Sequence, residues 1–134
     1  MMSMVEEVAK KRVERLRNEN RDISLDCIVR ECEKGQSAVI IYSDYNFSPM
    51  GFDFIESKES WNRPEAIDEY NSFVNEGYCV VVYVPESVMG RFEERLKDEG
   101  ARKNIRYFTI ERGMNRKPNE RLMERNRNTA ASPG

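Results

Sequence analysis

The sequence predicts an α/β (α+β) domain: a single mixed sheet of about five strands, in the order α-β-β-β-α-β-α-β, with helices packed on the sheet and a basic, flexible C-terminal tail. Three observations lead there. Val39, Ile40, Ile41, Tyr42, Tyr45 and Phe47 are β-formers, as are Phe52, Phe54 and Ile55, and Ser48-Pro49-Met50-Gly51 between them has the residues a type I turn prefers, so they read as an antiparallel hairpin. Cys79 to Val84 is apolar without alternation, the pattern of a strand covered on both faces. Around these runs lie stretches whose apolar residues recur at helical spacing.

Taken in order, Val5, Val8, Ala9, Val13 and Leu16, with Glu6, Lys10, Glu14 and Arg17 between them, predict an amphipathic helix from Met4 to about Asn18. Ile23 to Glu31 alternates as a strand, with Ile23, Leu25, Cys27 and Val29 on one face. Glu33-Lys34-Gly35-Gln36 turns it into the central hairpin and completes a three-stranded meander. If Gly51 takes the left-handed place of a three-residue loop with a G1 bulge, Ser48 faces Phe52, Asp44 faces Glu56 and Tyr42 faces Lys58. After a loop from Glu59, Pro64 suits a first helical position and Gly77 a left-handed cap, and Ala66, Ile67, Tyr70, Phe73 and Val74 form one apolar face between them. Pro85 and Ser87 open the next helix, with Val88, Phe92 and Leu96 in register and Gly100 as its stop. Asn104 to Ile110 returns as the last strand, a parallel neighbour of Cys79 to Val84. Residues 1–112 then form one domain and 113–134 a tail with at most a short helix around Asn119 to Arg125.

Composition narrows the chemistry. With 134 residues, the chain can bury a core without disulfides or a structural metal. Cys27, Cys32 and Cys79 include no CxxC pair, and the absence of histidine excludes Ser-His-Asp and Cys-His catalysis. Met1 to Asn20 lacks a signal-peptide pattern and no apolar run is long enough to span a bilayer, so a cytoplasmic location is expected. The net charge of −2 hides an asymmetry: Arg102 to Arg127 holds nine Lys or Arg against three Glu, so the rest carries about −8.

On the hairpin register above, Asp44, Glu56 and Lys58 share one side of the sheet, with opposed Cβ atoms about 4.5–5.5 Å apart. With Asp44 on the second strand and Glu56-Ser57-Lys58 on the third, the order helix, meander, helix, strand, helix, strand resembles the restriction-endonuclease-like, or PD-(D/E)xK, superfamily. The resemblance covers roughly Met4 to Ile110, and Ser43 stands where the motif has Pro. It implies that Asp44 and Glu56 bind Mg²⁺ and that Lys58 is the catalytic base or transition-state cation. Magnesium suits such a site, because it takes one or two protein carboxylates and fills its octahedron with waters and phosphate oxygens.

The expected function is therefore a metal-dependent nuclease cleaving phosphodiester bonds in DNA or RNA. The alternative is a non-catalytic binding or assembly module that uses a sheet edge or an apolar helix face, with Arg112, Arg116, Lys117 and Arg121 of the basic run contacting nucleic acid or an acidic partner. A homodimer is a further partnership left open. In the alternative, Asp44 and Glu56 are solvated carboxylates paired with Lys58 or another cation. Tyr45, Phe47 and Trp61 either stack on bases or pack in the core, and Cys27 and Cys79 are expected to pack. No Gly-rich phosphate loop follows any strand, which disfavours a nucleotide-binding domain.

Overall fold

The computed structural model of the chain describes residues 2–19, 22–44 and 46–113. Helix α1 (Met4–Glu19) leads into strands β1 (Ser24–Cys32), β2 (Gly35–Ser43) and β3 (Pro49–Glu56). Helix α2 (Ala66–Asn75), strand β4 (Cys79–Val84), helix α3 (Met89–Asp98), strand β5 (Arg106–Thr109) and the single turn of helix α4 (Ile110–Gly113) follow. The five strands form one mixed sheet in sequential order, β1 to β3 antiparallel and β3, β4 and β5 parallel. The expected tail and its short helix lie outside the described residues. Among the described residues, no helix is long and apolar enough to cross a membrane.

Local chemistry explains why these elements start and stop where they do. The Ser3 hydroxyl accepts the Glu6 amide at 3.2 Å, satisfying one orphan donor at the start of α1, and donates to the Glu6 carboxylate at 3.3 Å. Gly77 and Gly100 take left-handed φ of 93° and 68° just past α2 and α3, as expected of helix-ending glycines.

The core has two layers, one on each side of the sheet. Val5, Ala9, Val13 and Leu16 of α1 pack on Leu25, Ala38, Ile40, Tyr42, Ile55, Val81 and Tyr83. Ile67 and Tyr70 of α2 and Phe92 and Leu96 of α3 pack on Val39, Phe52, Phe54, Val80, Val82 and Val84. Strand β4 is thus apolar throughout because its alternate residues enter different cores.

The central hairpin differs from its expected register. Tyr42 faces Gly51 and Ser43 faces Pro49, with a bulge between Tyr42 and Ser43, while Glu56 faces Ser37. The turn lies between Asp44 and Ser48, and Pro49, Met50 and Gly51 already belong to β3. The left-handed residue is Phe47, with φ 61°, rather than Gly51. Two forces account for the shift. Met50 is drawn into the α1 core at 4% exposure, and the Asp44 carboxylate organises the earlier turn by accepting the Asn46 and Ser48 amides at 2.9 and 3.0 Å.

Candidate functional site

The shifted register separates the three residues expected to share a cation. Asp44 closes the tip of the hairpin, and Glu56 sits at the other end, opposite Ser37. Six residues of β2 lie between Ser37 and Asp44, a span on the order of 20 Å. Lys58 is also not beside Glu56. β3 ends at Glu56, so the two-residue periodicity that would have aligned the side chains stops there, and Lys58 lines a groove with Met4 and Val8 of α1. Glu56 instead points under α2.

Glu56 is fully buried and its carboxylate is occupied from within. Oε1 accepts from Arg63 Nη1 at 2.5 Å and from Ser60 Oγ at 2.8 Å, and Oε2 accepts from the Tyr70 hydroxyl. Ser57 and Ser60 exchange backbone-to-hydroxyl hydrogen bonds at 2.8 and 3.1 Å, which folds the Ser60–Asn62 3₁₀ turn back over the carboxylate. Arg63 reaches on to Glu69 at 2.6 Å, and Glu69 accepts a bidentate pair from Arg30 of β1 at 2.7 and 3.0 Å. Glu56, Arg63, Glu69 and Arg30 thus alternate in a chain that fastens β1, β3 and α2 together, with Glu65 also 3.6 Å from Arg63 Nε. Burial opposes the charge on Arg63, but Glu56 and its neighbours outweigh it and raise the guanidinium pKa. Burial would likewise raise Glu69, yet the hydrogen bonds and charges of Arg30 and Arg63 hold it below the ordinary carboxylate value. Burial, with Glu56 adding to it, pushes the Tyr70 phenol well above 10.0, so it remains a proton donor at neutral pH.

A second cluster occupies the other face of the same strand. Asp53 lies under α1, with Arg12 Nε at 3.6 Å and the Tyr42 hydroxyl donating to its carboxylate. Arg12 Nη2 is 3.4 Å from the Tyr83 hydroxyl and its guanidinium stands 5.7 Å from the ring centre. Burial and Asp53 together push Tyr42 well above its usual pKa. β3 therefore carries a buried carboxylate on each face, and each is matched with an arginine and a tyrosine.

These residues do not fit a magnesium site at Asp44 and Glu56. One carboxylate tethers a turn, the other has its oxygens taken by Arg63, Ser60 and Tyr70, and the residue opposite it offers a hydroxyl. Among the described residues, no group of three or more His, Cys, Asp or Glu converges as a metal-binding set.

The other expectations divide. Trp61 is core: its ring is buried against Phe92 and its indole N–H donates to the Lys58 carbonyl at 2.6 Å. Phe47 is 76% exposed at the hairpin tip. Cys27 was expected to pack but is exposed on β1, because the α1 layer takes in Ile23 and Leu25 and does not extend to Cys27 and Val29. Arg112 is exposed on α4, while Tyr45, Arg116, Lys117 and Arg121 lie outside the described residues.

The outer side of β1, the nine-residue strand at one end of the sheet, carries no residue-level signal in the sequence. Its middle, Asp26 to Val29, is exposed, with Ile28 at 46% and Val29 at 41%. Two of its outward backbone groups are met by side chains. Cys27 N–H donates to the Asp26 carboxylate at 3.0 Å, and Arg17 of α1 donates to the Leu25 carbonyl at 3.1 Å. Because backbone polarity alternates along an antiparallel strand, Leu25, Cys27, Val29 and Glu31 turn their amide groups to the open side.

Among the described residues, fold and site together define a mixed α+β scaffold with internal ion pairs and one long open sheet edge. Comparisons with protein-family models, curated proteins and solved structures returned no match.

Proposed function

We propose that the chain is a non-catalytic assembly module that docks an extended strand on the open edge of β1. The observation that carries this reading is the edge itself. Nine residues long, it exposes Ile28 and Val29 at its centre, with hydrogen-bonding groups on its outer side held by side chains that a strand could replace. The sheet's other edge, β5, has four residues and offers far less to a partner. The nuclease reading loses its support with the separation of Asp44, Glu56 and Lys58.

The test is amide hydrogen exchange on the full chain, with and without an extended synthetic peptide of alternating Val and Thr, which offers a pairing backbone without copying β1. Docking slows exchange at Val29 and Glu31. Val29→Pro abolishes that slowing without unfolding the protein, because the Val29 N–H points away from β2 and proline is tolerated on the open side of an edge strand. Unchanged exchange in the presence of the peptide would remove the proposal.

A further inference from the structure

Resting on the strand-docking reading, we infer that the strand accepted by β1 is β1 of a second copy, in an antiparallel register centred on Ile28. A continuous sheet made by two identical chains has its two-fold axis perpendicular to the sheet, so each face stays on its own side and some residue lies opposite itself. The exposed centre of β1 allows Cys27, Ile28 or Val29 to be that residue.

The charges choose among these three. With Ile28 opposite itself, Asp26 lies opposite Arg30 of the second copy, and Cys27 lies opposite Val29. Leu25, whose carbonyl Arg17 holds, lies opposite Glu31 of the second copy, which brings Glu31 beside Arg17. Both contacts occur twice by symmetry. Asp26 and Arg30 share the α2 face, and Arg17 and Glu31 the α1 face, so opposite charges meet on each side of an apolar centre. Centring on Cys27 puts Arg30 opposite Ser24 and Asp26 opposite Ile28. Centring on Val29 puts Ile28 opposite Arg30. Both registers oppose a charge to an apolar side chain and lose the Asp26–Arg30 match.

The hydrogen bonds at the edge exchange in the same register. Cys27 N–H leaves the Asp26 carboxylate for the Val29 carbonyl of the second copy, and Asp26 is released to lie beside the part of Arg30 not taken up by Glu69. The same charges that favour this register oppose indiscriminate strand addition, a known use of charged residues on sheet edges. One strand pair is a small interface, so the dimer is concentration-dependent.

The experiment is sedimentation of the full chain across a concentration series. The wild-type protein is expected to move reversibly from monomer to dimer, and Ile28→Lys, which sets two ammonium groups against each other at the axis, to weaken association by roughly a hundredfold or more. Arg17→Glu and Glu31→Arg are each expected to weaken the dimer, and their combination to restore it. Register is read by oxidation in a Cys27→Ser background: Ile28→Cys forms a disulfide-linked dimer and Asp26→Cys does not. A wild-type protein that stays monomeric, or cross-linking as efficient from position 26 as from 28, overturns self-pairing. The peptide-exchange experiment separates the two ideas. Slowed exchange at Val29 in a protein that stays monomeric leaves strand docking standing with a partner other than a second copy, whereas no slowing in a protein that also stays monomeric removes both.

Discussion

Arg63 Nη1 and Glu56 Oε1 lie 2.5 Å apart, with 2% and 0% of their side chains exposed. A charge pair out of water adds little net stability compared with an apolar pair of the same shape, but removing one member strands the other. Arg63→Ala is therefore expected to destabilise the fold by about 3–5 kcal/mol in urea denaturation. Adding Glu56→Leu to Arg63→Met should recover part of the loss, a non-additivity that independent residues would not show.

Glu69 and Tyr70 set opposite ends of the pH range. The folded Glu69 pKa lies below its reference of 4.5, so its contribution is complete above that value and is lost as pH falls through the folded pKa. Tyr70 is raised above 10.0, so its contribution is complete below pH 10.0 and is lost as pH rises toward the folded value. Thermal melts across pH should show both limbs, and Tyr70→Phe should reduce the alkaline limb, to which Tyr42 also contributes, while leaving the acid one.

Phe47 holds a left-handed backbone with φ 61° and exposes most of its ring. A bulky L-residue there is strained by about 1–2 kcal/mol, and an exposed ring offers little packing in return. Phe47→Gly is thus expected to raise the denaturation midpoint, with a gain of up to about 1 kcal/mol after the entropy of the added glycine. A lower midpoint would show that the ring packs against something.

Asp44 organises that same turn through two backbone amides. Asp44→Ala should cost about 1 kcal/mol, as loss of a comparable capping carboxylate does, and Asp44→Asn much less, because the amide oxygen still accepts. If Asp44 bound a metal instead, Asp44→Ala would abolish a magnesium-induced rise in melting temperature in the wild-type protein.

Gly113 ends α4 against β4 and β5. A Cβ there would stand 2.7 Å from the Tyr83 ring and 3.0 Å from Phe108 Cβ, so Gly113→Ala is expected to destabilise by about 1–3 kcal/mol. A neutral effect in chemical denaturation would show that α4 can lift away.

Much of the fold was legible because it is written locally. The helical spacing of Val5, Ala9, Val13 and Leu16, the unbroken run Cys79 to Val84 and the glycines at 77 and 100 each carry their own structural instruction. The hairpin register was misread because two adjacent turn signals competed, and the outcome depended on Met50 entering a core built by a distant helix. The candidate site failed for the same reason. Glu56-x-Lys58 is a spacing that has meaning only inside a strand, and β3 ends at Glu56.

Local side-chain preference and periodicity along the chain were enough to settle the order and kind of the elements and the covering of β4 on both faces. The partners of Glu56 and Asp53, and the strand edge that stays open, depended on the assembled molecule. Arg12 and Arg30 find their carboxylates across long stretches of sequence, and a one-residue change of register sends a side chain to the opposite face.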